Sequence, residues 1–133
     1  MVDIKTVKMD LRRIKYGKKH LNELNEKLKR MEEYISYLEG CRKTKEVKLK
    51  LEANKRVLDG RRKDLKRKER EVEGLFDVYR GAIESLPILD RRILLEGYIE
   101  GIAYHQIGQE LGYSERGIQE RLVRIFEAIS ENI

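Results

Sequence analysis

Apolar positions recur along this chain at helical spacing, and no stretch shows strand-like alternation. Ile4, Val7, Leu11 and Ile14 form a 3-4-3 stripe that predicts a short helix over 3–16, broken or bent at Gly17. From Lys18 to Glu39 the series Leu21, Leu24, Leu28, Met31, Ile35, Leu38 runs 3-4-3-4-3 without interruption, the seam of a coiled coil. Tyr34 and Tyr37 accompany that seam as half-buried neighbours, and Gly40 and Cys41 stop the helix. The third segment, 43–73, starts a seven-residue repeat of Leu51, Leu58, Leu65, Val72, Tyr79 and Leu86. Its alternate seam positions are Asn54, Arg61, Lys68, Leu75 and Ala82, so the seam is half polar in its middle. Such a helix would reach roughly 45 Å. Two arrangements satisfy the pattern. The helices fold back as an antiparallel hairpin through GCRKT, or they pair between two chains. A polar Asn54 at a seam position can fix register and strand number, which favours a homodimer.

The last third carries a denser set of signals. Ile107 and Leu111 lie four apart on one helical face, with Gly108 beside them, small where a second helix must cross closely. Gly112 sits where a helix ends in a left-handed residue. Ser114 offers a hydroxyl as N-cap for the next helix, whose Ile118, Leu122, Ile125 and Ile129 repeat at helical spacing. The alternative is an ordinary helical hairpin inside an all-α core. Met together, these positional requirements predict a helix-turn-helix whose second helix presents its outer face to a DNA major groove. The fold class is therefore all-α: a long N-terminal helical hairpin or coiled coil, then a helix-turn-helix domain. The division falls between a basic arm, 1–74, and a head, 75–133.

Composition sharpens this picture. Charged residues are 41% of the 133 and aromatics 7%, which disfavours one thick core and fits long solvated helices. Cys41 is the single cysteine and His20 and His105 the only histidines, so neither a disulfide framework nor a metal site is expected. The opening MVDIK has mixed charge with no apolar stretch behind it, and no segment approaches membrane-spanning length, so a cytosolic protein is expected. No phosphate loop or nucleophile–base set appears, so neither an enzyme nor a cofactor is expected. The charge is unevenly placed. Residues 1–74 carry 24 basic and 14 acidic side chains, residues 75–133 only 6 against 10. Within the arm, RRKDLKRKER holds Arg61, Arg62, Lys63, Lys66, Arg67, Lys68 and Arg70. That run reads either as a solvated helix face or as a stripe following a phosphate backbone.

Leu86-Pro87, Arg91, Arg92, Ile93-Leu94-Leu95, Tyr98, Gly101, Ile107-Gly108, Leu111-Gly112, Ser114, Ile118 and Arg121-Leu122 together resemble region 4 of sigma-70-type factors, the domain that recognises the promoter −35 element. The resemblance covers about Leu75 to Ile129. It implies four helices: LFDVYRGAIES, ILDRRILLEGYIE, AYHQIGQEL and a recognition helix from Ser114. A basic helical arm before such a head is similar to small phage-encoded late-gene regulators of the RinA and ArpU kind, which act inside Gram-positive hosts. The resemblance implies double-stranded DNA as partner, with Glu115, Arg116, Gln119 and Glu120 facing base edges. Arg can fork to guanine, Gln to adenine, and Glu can accept from cytosine. Ser114, Arg121, Arg124, His105 and Gln106 are then candidates for the DNA backbone. It also implies RNA polymerase as a second partner, met through 88–100.

Two departures count against tight binding by the head alone. Gly117 inside the recognition helix costs up to about 1 kcal/mol relative to Ala, and the head's acidic balance weakens phosphate attraction. Rival readings are a sigma mimic that occupies polymerase or a regulator without reading DNA, and a packaging subunit of the small-terminase kind. In the latter the DNA-binding domain usually precedes the coil, the reverse of the order here.

Overall fold

The computed structural model describes residues 2–133, and every regular element among them is helical. Helix α1 spans Ile4–Gly40 and α2 spans Lys45–Glu84. A short α3, Ile88–Arg92, runs directly into a π-helical segment, Ile93–Ile99. Helices α4, Tyr104–Leu111, and α5, Glu115–Glu131, complete the chain. Among the described residues, no helix is long and apolar enough to cross a membrane.

Three expectations about helix boundaries are corrected. Gly17 does not break α1, which continues through it. A Cβ at position 17 would lie 2.5 Å from Val72 Cγ2, so the glycine lets α2 approach closely. Residues 75–85 are not a separate helix either: 75–84 form the last turns of α2, which ends at Glu84, and Gly74 is an exposed helical position with open space around it. The helix expected over 88–100 becomes π-helical after Arg92. Gly97 lies in that segment, where a Cβ would sit 2.9 Å from both Ile107 Cδ1 and Tyr104 Cε1. The wider turn thus accompanies close seating of α4.

The chain forms two compact units, one of Met1–Lys19 with Val72–Ile133, the other of His20–Glu71. This partition differs from one at residue 74, because Val7, Leu11 and Ile14 of α1 are fully buried and count among the largest buried side chains. In this first unit Tyr79 donates its hydroxyl to the Asp10 carboxylate, joining α2 to α1. Burial, reinforced by that carboxylate, pushes the Tyr79 hydroxyl far above its ordinary pKa. Ser130 in α5 donates to the Val2 carbonyl. Tyr98 and Phe126 pack edge to face, 5.3 Å between ring centroids.

The second unit is an antiparallel hairpin made within one chain, the first of the two arrangements that the seam pattern allows. Leu28, Ile35 and Leu38 of α1 pack with Leu51 and Leu58 of α2, flanked by Met31, Val47 and Leu65. Each such burial is worth about 2 kcal/mol. Asn54, at its seam position, donates its amide nitrogen back to the Lys50 carbonyl at 2.7 Å. At the turn, Lys43 Nζ caps the end of α1 by donating to the carbonyls of Leu38 and Glu39 at 3.0 and 2.6 Å. Thr44 Oγ1 accepts from the Val47 amide and starts α2. Tyr34 and Tyr37 are exposed rather than half-buried, and they stack on each other.

Candidate nucleic-acid interface

The turn between α4 and α5 is built by four residues with different tasks. Gly112 ends α4 at φ 79°, a left-handed conformation that costs other L-residues energy. The Tyr113 amide then donates back to the Gly108 carbonyl at 2.9 Å. A Cβ on Gly108 would lie only 2.2 Å from the Tyr113 carbonyl oxygen. The small residue is therefore required by the backbone of the turn, not by the crossing helix. Ser114 accepts the Gly117 amide through its hydroxyl at 3.0 Å, closing the N-cap. Gly117 also has a local reason: a Cβ there would crowd Ser114 Oγ at 3.2 Å.

Helix α5 buries Ile118, Leu122, Ile125, Phe126 and Ile129 and leaves its other face to solvent. Glu115, Arg116, Gln119, Glu120 and Arg124 are all exposed on it. Arg116, 89% exposed, pairs with Glu120 one turn on at 3.2 Å. Such a surface pair is weak enough to be exchanged for a base edge. Glu115 in the first turn also offsets the helix dipole. The Ser114 hydroxyl engages the Gly117 amide, so the N-terminal donors left for a phosphate are those of Glu115 and Arg116. His105 and Gln106 are exposed in the first turn of α4.

Arg121 is placed differently from the other candidates. Its Nε donates to Asp90 Oδ1 at 2.5 Å, with the two side chains 30% and 15% exposed. Its guanidinium lies over the Tyr113 ring, 5.7 Å from the centroid. The hydrogen bond to Asp90 pushes its already high pKa further up. Arg121 thus clamps α5 to α3 and to the turn. Arg92 makes a parallel tie, donating to Glu96 at 2.5 Å and to Glu110 of α4. Neither clamp was legible from spacing, because the partners lie 31 and 18 residues apart in the chain.

The basic run 61–70 belongs to the hairpin unit. Arg62 is engaged with Glu32 at 2.9 Å, Arg67 with Asp64 at 3.2 Å and Lys68 with Glu71 at 3.4 Å. Arg62, Lys66, Arg70, Lys63 and Arg67 fan across about 140° of α2, from Arg62 beside the seam to Arg67 opposite it, while Arg61 and Lys68 lie on the seam's other side. The run is a broad solvated surface rather than one narrow stripe.

The head unit has a basic component from the start of α1, which a boundary at residue 74 places in the arm. Met1–Lys19 holds seven basic and two acidic side chains, and Val72–Ile133 holds six and eleven. Together they carry thirteen of each, so the unit that presents α5 is neutral, not acidic. Among the described residues, no group of three His, Cys, Asp or Glu side chains is placed to hold a metal ion. No protein family, curated protein or solved structure matches the chain.

Proposed function

We propose that this protein is a DNA-binding transcriptional regulator that reads a promoter-proximal site through the outer face of α5. One observation carries the reading. A glycine-sealed, serine-capped turn fixes α5 against α4 and leaves Arg116, Gln119 and Glu120 exposed together at its N-terminal end. That is the geometry in which a helix can lay hydrogen-bonding side chains along base edges. The resemblance to sigma region 4, and to late-gene regulators of phages, supports activation of transcription in a bacterial host as the biological setting. A contact with RNA polymerase through 88–100 would use the exposed Ile88 and Glu100 and half-buried neighbours such as Arg91, Arg92 and Glu96, since Ile93, Leu94, Gly97 and Ile99 are buried. The neutrality of the head unit favours DNA reading over a purely acidic sigma mimic.

The test is selection of bound sequences from random duplex DNA by the full-length protein, repeated with Arg116→Ala. The reading expects a defined sequence preference, and in the variant one position relaxed by about 1–3 kcal/mol. A pool that stays random after selection contradicts it.

A further inference from the structure

Resting on the DNA-binding reading above, we infer that Lys5, Lys8, Arg12, Lys15 and Lys19 of α1 form a second DNA contact, a phosphate-gripping face alongside α5. The five residues follow one another at intervals of three, four, three and four. That spacing confines them to about 80° of the helix circumference. The adjoining face carries the buried Val7, Leu11 and Ile14, so packing fixes which way the basic face points.

Among the described residues, none of the five forms a salt bridge, and the two carboxylates within 3–19, Asp3 and Asp10, are engaged elsewhere. Asp10 meets Arg13 at 3.9 Å and accepts from Tyr79, while Asp3 accepts the Lys5 backbone amide rather than its ammonium. The hairpin run differs, since three of its cations are paired. Lys8 and Lys15 are positioned by aromatic faces instead. Lys8 Nζ lies 5.9 Å from the Phe126 ring centroid and Lys15 Nζ 5.0 Å from that of Tyr98. A ring holds an ammonium in place without cancelling its charge.

The contact with Phe126 also locates the face. Around α5, Phe126 is the buried neighbour of Gln119 and Val123 on the exposed side. The basic face therefore borders the edge of α5 that carries Gln119. From Lys5 to Lys19 it extends about 21 Å. At 3.4 Å of axis per phosphate on one strand, that length matches about six phosphates. A duplex with α5 in its groove presents such a row at the groove's margin.

The experiment titrates the full-length protein onto a mixed-sequence duplex of about 40 base pairs, between about 50 and 200 mM salt. Lys5→Gln/Arg12→Gln/Lys19→Gln removes three exposed charges whose side chains, among the described residues, make no hydrogen bond, ion pair or cation–π contact. Arg61→Gln/Lys63→Gln/Arg70→Gln removes three from the hairpin, and circular dichroism confirms that both variants remain helical. Each lost phosphate contact lowers the slope of log K against log salt by about 0.9. The α1 variant is expected to lose about 2.7 in slope and the hairpin variant less than 1. An unchanged slope in the α1 variant overturns the inference while leaving the DNA-binding reading standing, and it would direct the face toward an acidic protein instead. An equal loss in both variants also overturns it, as an unlocalised effect of net charge. A wild-type protein that binds no duplex at low salt overturns both.

Discussion

Gly108→Ala should destabilise the protein although alanine is the better helix former. The new Cβ would meet the Tyr113 carbonyl oxygen at 2.2 Å, whereas carbon and carbonyl oxygen settle at about 3.3 Å or more. No rotamer change relieves a clash with backbone, so the turn must open by about 1 Å. Opening it weakens the bond from Tyr113 to Gly108, worth about 1 kcal/mol, and disturbs the Ser114 cap, worth about another. Residual crowding adds about 1 kcal/mol, and helix propensity returns about 1. The net is a loss of about 2 kcal/mol, close to a 30-fold change in the folding equilibrium. Gly81→Ala is the control, since it too is helical but exposed, and its Cβ would meet nothing. There the same substitution should stabilise by about 0.5–1 kcal/mol. Urea unfolding followed by circular dichroism measures both. With m near 2 kcal/mol per molar, Gly108→Ala should lower the midpoint by about 1 M. A midpoint at or above wild type would refute the account of the turn.

Gly17→Ala should cost about 1–2 kcal/mol, because Val72 is stiff at χ1 and cannot easily withdraw its methyl. Combining it with Val72→Ala should cost less than the sum of the single changes, and strict additivity in unfolding experiments would show that the two residues do not meet. Arg121→Gln should lower stability by about 1 kcal/mol through loss of the Asp90 clamp while leaving the salt dependence of DNA binding unchanged. Arg124→Gln should do the reverse, with no stability change and a slope lower by about 0.9. If instead the Arg121 variant loses slope, its guanidinium leaves Asp90 to meet a phosphate.

The hairpin was readable because its seam repeats through Leu28, Ile35 and Leu38, and the repeat identifies a packing face whatever covers it. What covers it was not readable. A stripe such as Val7, Leu11 and Ile14 states that a face is buried, not which residues bury it, so the pattern alone groups the start of α1 with the arm rather than with the head. The turn after Leu111 was legible because Gly112 and Ser114 act within a few residues of their own positions. Glycine proved ambiguous for the same reason. Gly17, which admits Val72, and Gly74, which faces open space, look alike in sequence. The passage from α to π after Arg92 has no local signature either, since it accompanies the seating of Tyr104 and Ile107 on Gly97. Among the candidate site residues, exposure at Arg116, Gln119 and Glu120 followed from helical phase. The commitment of Arg121 to Asp90 depended on a partner far away in the chain.

In the proposed function the outer face of α5 lies in a major groove. Methylation protection on a selected DNA site tests it most directly, because guanine N7 lies in the major groove and adenine N3 in the minor. The full-length protein is expected to protect at least one guanine N7, and Arg116→Ala to restore its reactivity while the rest of the footprint persists. Protection confined to adenine N3, or guanine N7 protection that Arg116→Ala leaves intact, would contradict the claim.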